Sequence, residues 1–201
     1  METGKGDCAS KVPAHYISGF VDGEGCFSLN FRKDVRHEIK GNPQYFMWKA
    51  SFAIVLRTDD IEVLKAIRNT LGCGKVDVTS DQARFHVEDL GKLTNTIIPF
   101  FDKYPLRAKK KSDFLLWKEA VEILYLHRQM GIGRKKGSVK WAPEDLRRLL
   151  QIYEQMRTFK SRRSRSKHVS VAQDRRWTDA IADGAPKRVR GLDLHGNSPA
   201  S

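Results

Sequence analysis

The residues Ile17-Ser18-Gly19-Phe20-Val21-Asp22-Gly23-Glu24-Gly25, followed by Cys26-Phe27-Ser28-Leu29-Asn30-Phe31-Arg32, pass from a helical to a strand-like spacing of apolar side chains. Ile17, Phe20 and Val21 fall on one side of a helix that Pro13 can open, because its fixed φ suits a first helical position. Phe27, Leu29 and Phe31 then alternate with Ser28, Asn30 and Arg32, which is the period of a half-buried strand. Two features of the helix are costly. Gly19 lies inside it, at about 1 kcal/mol relative to alanine, so another backbone is expected to pack closely there. Asp22 and Glu24 cluster where Gly23 and Gly25 end it, although the helix dipole already presents negative charge at that end. Misplaced negative charge there is the pattern expected if a cation completes a site, although a solvated acidic turn is the simpler account of DGEG alone.

Downstream, FMWKASFAIVLR (46–57) is a second alternating strand, with Phe46, Trp48, Phe52 and Ile54 directed inward and Lys49, Ser51 and Arg57 outward. The polar stretch between the two strands reads as a loop. Thr58 is a candidate N-cap for a helix to about Leu71, with Asp59 and Asp60 in its first turn and Gly72 and Gly74 ending it. KVDVT and QARFHVE predict a hairpin around Ser80-Asp81. A short helix near Asp89–Phe100 follows. Ser112–His127 carries Phe114, Trp117, Val121 and Leu124 on one face, and Pro143–Phe159 is a last helix reached through the loop GIGRKKGS. This order gives an α+β chain with four strands.

The 201 residues are 40% hydrophobic, enough for one core with extensions. Residues 1–12 read as a flexible leader, 13–159 as the folded domain and 160–201 as a basic, disordered tail. Lys and Arg number 37 against 24 Asp and Glu, a net charge of +13. Residues 157–190 alone hold eleven basic and three acidic side chains, a net of +8. Such an excess favours a polyanion, nucleic acid first, with solubility as the bland alternative. Nothing reaches the roughly 18 consecutive apolar residues of a membrane span, and the N-terminus lacks a signal-peptide core. The expectation is an intracellular protein with no membrane partner, in a bacterial cytoplasm or an organelle. Cys8, Cys26 and Cys73 form neither a disulfide framework nor a zinc pattern.

ISGFVDGEG (17–25) resembles the LAGLIDADG motif of homing endonucleases position by position, and the resemblance extends from about Ala14 to His127. It takes in FSLNF, SFAIVLRTDD, LGCGKV and YPLRAKKKSDFLLWKEA. It implies an αββαββα core with a four-stranded antiparallel saddle on DNA and extra C-terminal helices. The implied activity is a Mg²⁺-dependent (or other divalent cation-dependent) endonuclease that breaks both strands of a long pseudo-palindromic target, as in intron homing. By the same resemblance Glu24 binds the metal, the Gly23 carbonyl lies near it, and Asp22 supports the helix end. The motif occurs once in these residues, which implies a homodimer whose interface takes in Ile17, Ser18, Gly19, Val21 and Asp22. A basic residue near the scissile phosphate is expected in the Lys109-Lys110-Lys111 run, Lys110 first and Lys109 second, with plain phosphate binding by the run as the alternative. Leu56 departs from members that carry a polar active-site residue at the corresponding position.

The outward faces of the strands supply the candidates for contact with double-stranded DNA: Ser28, Asn30, Arg32, Lys49, Ser51, Arg57, Lys75, Asp77, Arg84 and His86. The alternative function is an intron maturase, in which the same face and the RRSRSK tail bind intron RNA without needing Glu24. The tail is equally readable as a source of salt-sensitive phosphate affinity or as a solvated appendage.

Overall fold

Helix α1 (Ala14–Glu24) enters strand β1 (Gly25–Val35) with no intervening loop, and Gly25 makes that junction possible. Its N–H closes the helix on the Val21 carbonyl while its own backbone is already extended, at φ −69° and ψ 152°. A Cβ at this position would lie 2.4 Å from Val21 Cγ1 and 2.7 Å from the Val21 carbonyl oxygen. The computed structural model describes residues 10–35, 44–131 and 141–158. The expected leader therefore lies outside the described residues except for its last three, and the basic tail and most of the GIGRKKGS loop lie outside them altogether.

Strand β2 (Gln44–Arg57) pairs antiparallel with β1 from Gly25↔Ile54 to Val35↔Gln44, so Asp34 and Val35 extend the strand beyond its sequence-read limit. A single 3₁₀ turn (Thr58–Asp60) leads into α2 (Ile61–Leu71). Thr58 is not the N-cap: its hydroxyl faces the Thr79 and Ser80 carbonyls, each at 3.4 Å, and ties the turn to the hairpin instead. Gly72 ends α2 in the left-handed region at φ 67°, donating to the Arg68 carbonyl. Gly74, at φ 92°, leaves room for the Phe85 ring. Strands β3 (Lys75–Val78) and β4 (Gln82–Val87) form the expected hairpin, giving the antiparallel order β1-β2-β4-β3.

After β4 the chain runs through α3 (Leu90–Lys92), a π-helical turn (Leu93–Ile97) and α4 (Ile98–Lys103). Pro99 has no N–H to donate back along this helix, and the hydrogen-bond ladder widens just before it. Asp89 caps the start by accepting from the Lys92 N–H at 3.0 Å. Helices α5 (Lys110–Met130) and α6 (Pro143–Thr158) follow. The chain is thus an α+β protein with an αββαββα core and two further helices.

All helices that contribute to the core pack on one face of the sheet. Phe27 lies at its centre, with the rings of Phe52, Phe101, Phe114 and Trp117 at centroid distances of 5.0–5.7 Å. Trp48 meets Tyr153 of α6 at 5.9 Å, so the last helix closes the far end of the same core. Apolar burial on this single face is the dominant stabilising term, and it leaves the other face of the sheet to solvent.

Candidate active site and nucleic-acid interface

The end of α1 and the start of α5 meet through three hydrogen bonds. Asp22 accepts from the Arg107 N–H at 2.9 Å and from the Ala108 N–H at 3.2 Å, one amide on each carboxylate oxygen. The Lys110 ammonium donates to the Gly25 carbonyl. A segment about 85 residues away in sequence is therefore fixed beside Glu24, with Lys110 half-buried against it and Lys109 and Lys111 exposed. Glu24 itself is exposed at the last position of the helix. Gly23, beside it, has nothing within 4 Å of where a Cβ would stand.

Among the described residues no three His, Cys, Asp or Glu side chains converge on one point. With both Asp22 oxygens engaged by amides, Glu24 is the carboxylate of this end that could hold a cation. One carboxylate, a nearby backbone carbonyl and open space suit a hard divalent ion, which fills most of its shell with water and phosphate oxygens. Leu56 packs partly buried against the core and offers no polar atom here.

On α1, Ile17 and Val21 are fully buried, and Ser18, also buried, donates to the Tyr104 carbonyl at 2.7 Å. The apolar stripe that the helical period revealed thus packs on the chain's own core. Asp22 is half-buried and committed to the α5 segment. Gly19 is exposed, with nothing within 4 Å of a Cβ, so the close backbone approach it allows is not made among the described residues. Tyr16 and Gly19 share the exposed side, and Phe20 stacks on Tyr16 at 5.7 Å.

Strand register places all ten sequence-read contact residues on one face. Ser28 stands opposite Ser51, Asn30 opposite Lys49, Lys75 opposite His86 and Asp77 opposite Arg84. Arg32 and Arg57 share the parity of that face. Asn30, Arg32, Arg57, Lys75 and Arg84 are exposed. Ser51 retains 6% of its surface, and neighbouring Ala53 retains 5%, so the middle of β2 forms a closed floor. Bases of this face are engaged within the chain: His86 Nε2 lies 3.3 Å from Asp77 Oδ2, Lys49 Nζ 2.5 Å from Glu88 Oε2 and Arg57 Nη2 3.2 Å from Asp59 Oδ2. Glu88, the last residue of the sequence-read strand QARFHVE, continues the parity of Gln82, Arg84 and His86 without being among the sequence-read contact candidates. The basic tail that favoured an RNA partner lies outside the described residues. Among them, no helix is long and apolar enough to cross a membrane.

A family model described as LAGLIDADG endonuclease matches residues 17–121. A probable intron-encoded endonuclease of Neurospora crassa is 32% identical over 128 residues, covering 57% of this chain and 27% of the relative. The chain thus spans about a quarter of the length of that relative, and likewise of a Podospora anserina protein encoded in an ND4 intron. Among solved structures, the homing endonuclease I-TnaI is similar at 26% identity and a TM-score of 0.54, over 75% of this chain and 97% of that one. I-SmaMI, solved on an uncleaved DNA target with calcium ions, has a TM-score of 0.61 at 22% identity, over 81% of this chain and 50% of that one, a likeness of fold alone.

Proposed function

The chain belongs to the LAGLIDADG endonuclease family, and on that premise we propose that it is an intracellular, site-specific endodeoxyribonuclease acting as a homodimer. The observation that carries this reading is the junction of α1 and α5, where an exposed Glu24 and a positioned Lys110 stand beside a sheet face bearing ten polar candidates. Two copies meeting at the exposed side of α1 bring two such junctions together, one for each DNA strand. Twofold symmetry then favours a pseudo-palindromic target with half-sites about one helical turn apart.

Glu24 and the Gly23 carbonyl would hold Mg²⁺, whose bound form supplies water activation and neutralises charge on the leaving oxygen. Lys110 can exchange the Gly25 carbonyl for a non-bridging phosphate oxygen, where its ammonium balances charge that grows in the transition state. Asp22 holds the α5 segment so that this exchange needs only side-chain rotation. The strand residues hold the duplex in register, through phosphates for orientation and base edges for sequence.

The test is cleavage of a randomised duplex library by the full chain with Mg²⁺. The expected result is double-strand cuts at one long sequence. Glu24→Gln should lower the cleavage rate by about a thousandfold or more, the scale of losing a transition-state contact, while binding changes only a few-fold. Equal cleavage by that variant would contradict the proposal.

A further inference from the structure

Among the described side chains, the outer face of the sheet carries two carboxylates, Asp77 and Glu88, that a purely phosphate-binding surface has no use for. Asp77 faces His86, and Glu88 faces Lys49 across 2.5 Å. The Lys49–Glu88 pair is partly shielded, with side-chain exposures of 24% and 37%. The hydrogen bond from Lys49 holds the Glu88 carboxyl below its ordinary value.

A solvated lysine beside DNA gives attraction without regard to sequence, through counterion release of about 0.9 per phosphate. A lysine already matched by a carboxylate forgoes that attraction, and the carboxylate repels phosphates besides. The pair therefore weakens binding to arbitrary duplex and is favourable only where a base edge satisfies both members. In the major groove a guanine–cytosine pair presents two neighbouring acceptors, N7 and O6, and then the cytosine N4 donor. O6 and N4 are hydrogen-bonded to each other at about 2.9 Å, close to the separation of Lys49 Nζ and Glu88 Oε2. An adenine–thymine pair separates its two acceptors, adenine N7 and thymine O4, by the adenine N6 donor, so an ammonium there meets one acceptor at a time where guanine offers N7 and O6 side by side.

We propose that Lys49 and Glu88 act as one reader of a guanine–cytosine pair in each half-site, Lys49 donating to guanine and Glu88 accepting from cytosine N4. Glu88 is thus a specificity-determining residue. The proposal rests on the DNA-binding reading above. Asn30, opposite Lys49 in the register, contacts a neighbouring base or phosphate from β1.

The test is selection of bound sequences from duplexes with randomised half-sites, by the full chain and by Glu88→Gln, Lys49→Ala and Lys49→Arg. Wild type should enrich one guanine–cytosine pair per half-site that Glu88→Gln and Lys49→Ala each weaken by about tenfold or more, the scale of one mismatched pair, other positions being retained. Lys49→Arg, which keeps the donors, should retain it. On random duplex, Glu88→Gln should bind more tightly, with log K falling more steeply with log salt by about 0.9. Survival of every preference in Glu88→Gln, or a loss spread evenly over the site, would overturn the pairing. A wild-type chain that enriches no sequence would overturn the DNA-binding reading instead, and this inference with it.

Discussion

Asp22 and Glu24 are two residues apart on one helical turn, yet their surroundings assign them different work. Asp22 is spent on two backbone amides, whereas Glu24 projects into open space. Removing the Asp22 carboxylate by Asp22→Ala leaves those amides without their acceptor, at a cost of about 1–3 kcal/mol for hydrogen bonds to a charged group. Denaturant melts should register that loss, and cleavage should fall further than DNA affinity because Lys110 is no longer held in place. The glycines of the motif separate in the same way. Gly25→Ala puts a methyl within 2.4 Å of Val21 Cγ1 and should destabilise the fold by about 1–3 kcal/mol. Gly23→Ala meets nothing within 4 Å and should melt at or slightly above the wild-type temperature. Equal loss in the two variants would show that the helix-to-strand junction is not as tight as described.

At the scale of elements, α6 is held to α5 by an apolar seam and by Arg148, whose Nε and Nη2 reach the two Glu119 carboxylate oxygens at 2.5 and 2.6 Å. That hydrogen bonding keeps the Glu119 carboxyl below its ordinary value of 4.5. A lowered carboxylate contributes stability that is fully present above the ordinary value and is lost as pH falls through the lowered one. Acidification below about 4.5 should therefore loosen the α5–α6 contact, and Glu119→Gln should remove this part of the acid sensitivity in melts taken from pH 7 to 3. An unchanged acid profile would contradict the role given to the pair. The elements themselves were largely legible in the sequence, because alternation in 27–32 and 46–57 and helical spacing in 114–124 are local patterns. Parity alone also placed the ten contact candidates on one face. What local pattern does not contain is who meets whom. Lys49 and Glu88 are 39 residues apart, and their meeting depends on the β2–β4 register set by the turn at Thr58 and the hairpin. Helical period likewise showed an apolar stripe through Ile17 and Val21 without saying whether it faces the chain's own sheet or a second chain.

For the whole molecule, the folded core turns one sheet face inward, and on the proposed function the other face, with Glu24 at its margin, is the one that meets DNA. The +13 charge supports long-range attraction to DNA, and binding should weaken steeply with salt. A side of α1 bearing Tyr16 and Gly19 remains uncovered by the described residues, and on the proposed function a second copy packs there backbone to backbone. The most direct measurement is strand scission by mixed dimers. Wild-type chain is refolded with an excess of differently tagged Glu24→Gln chain, and the dimer carrying one of each is isolated and given target DNA and Mg²⁺. One Glu24 per complex should leave the duplex nicked in a single strand, with double-strand breaks nearly absent. Double-strand breaks at the wild-type rate from that mixed complex, or full activity from a monomer, would contradict the account.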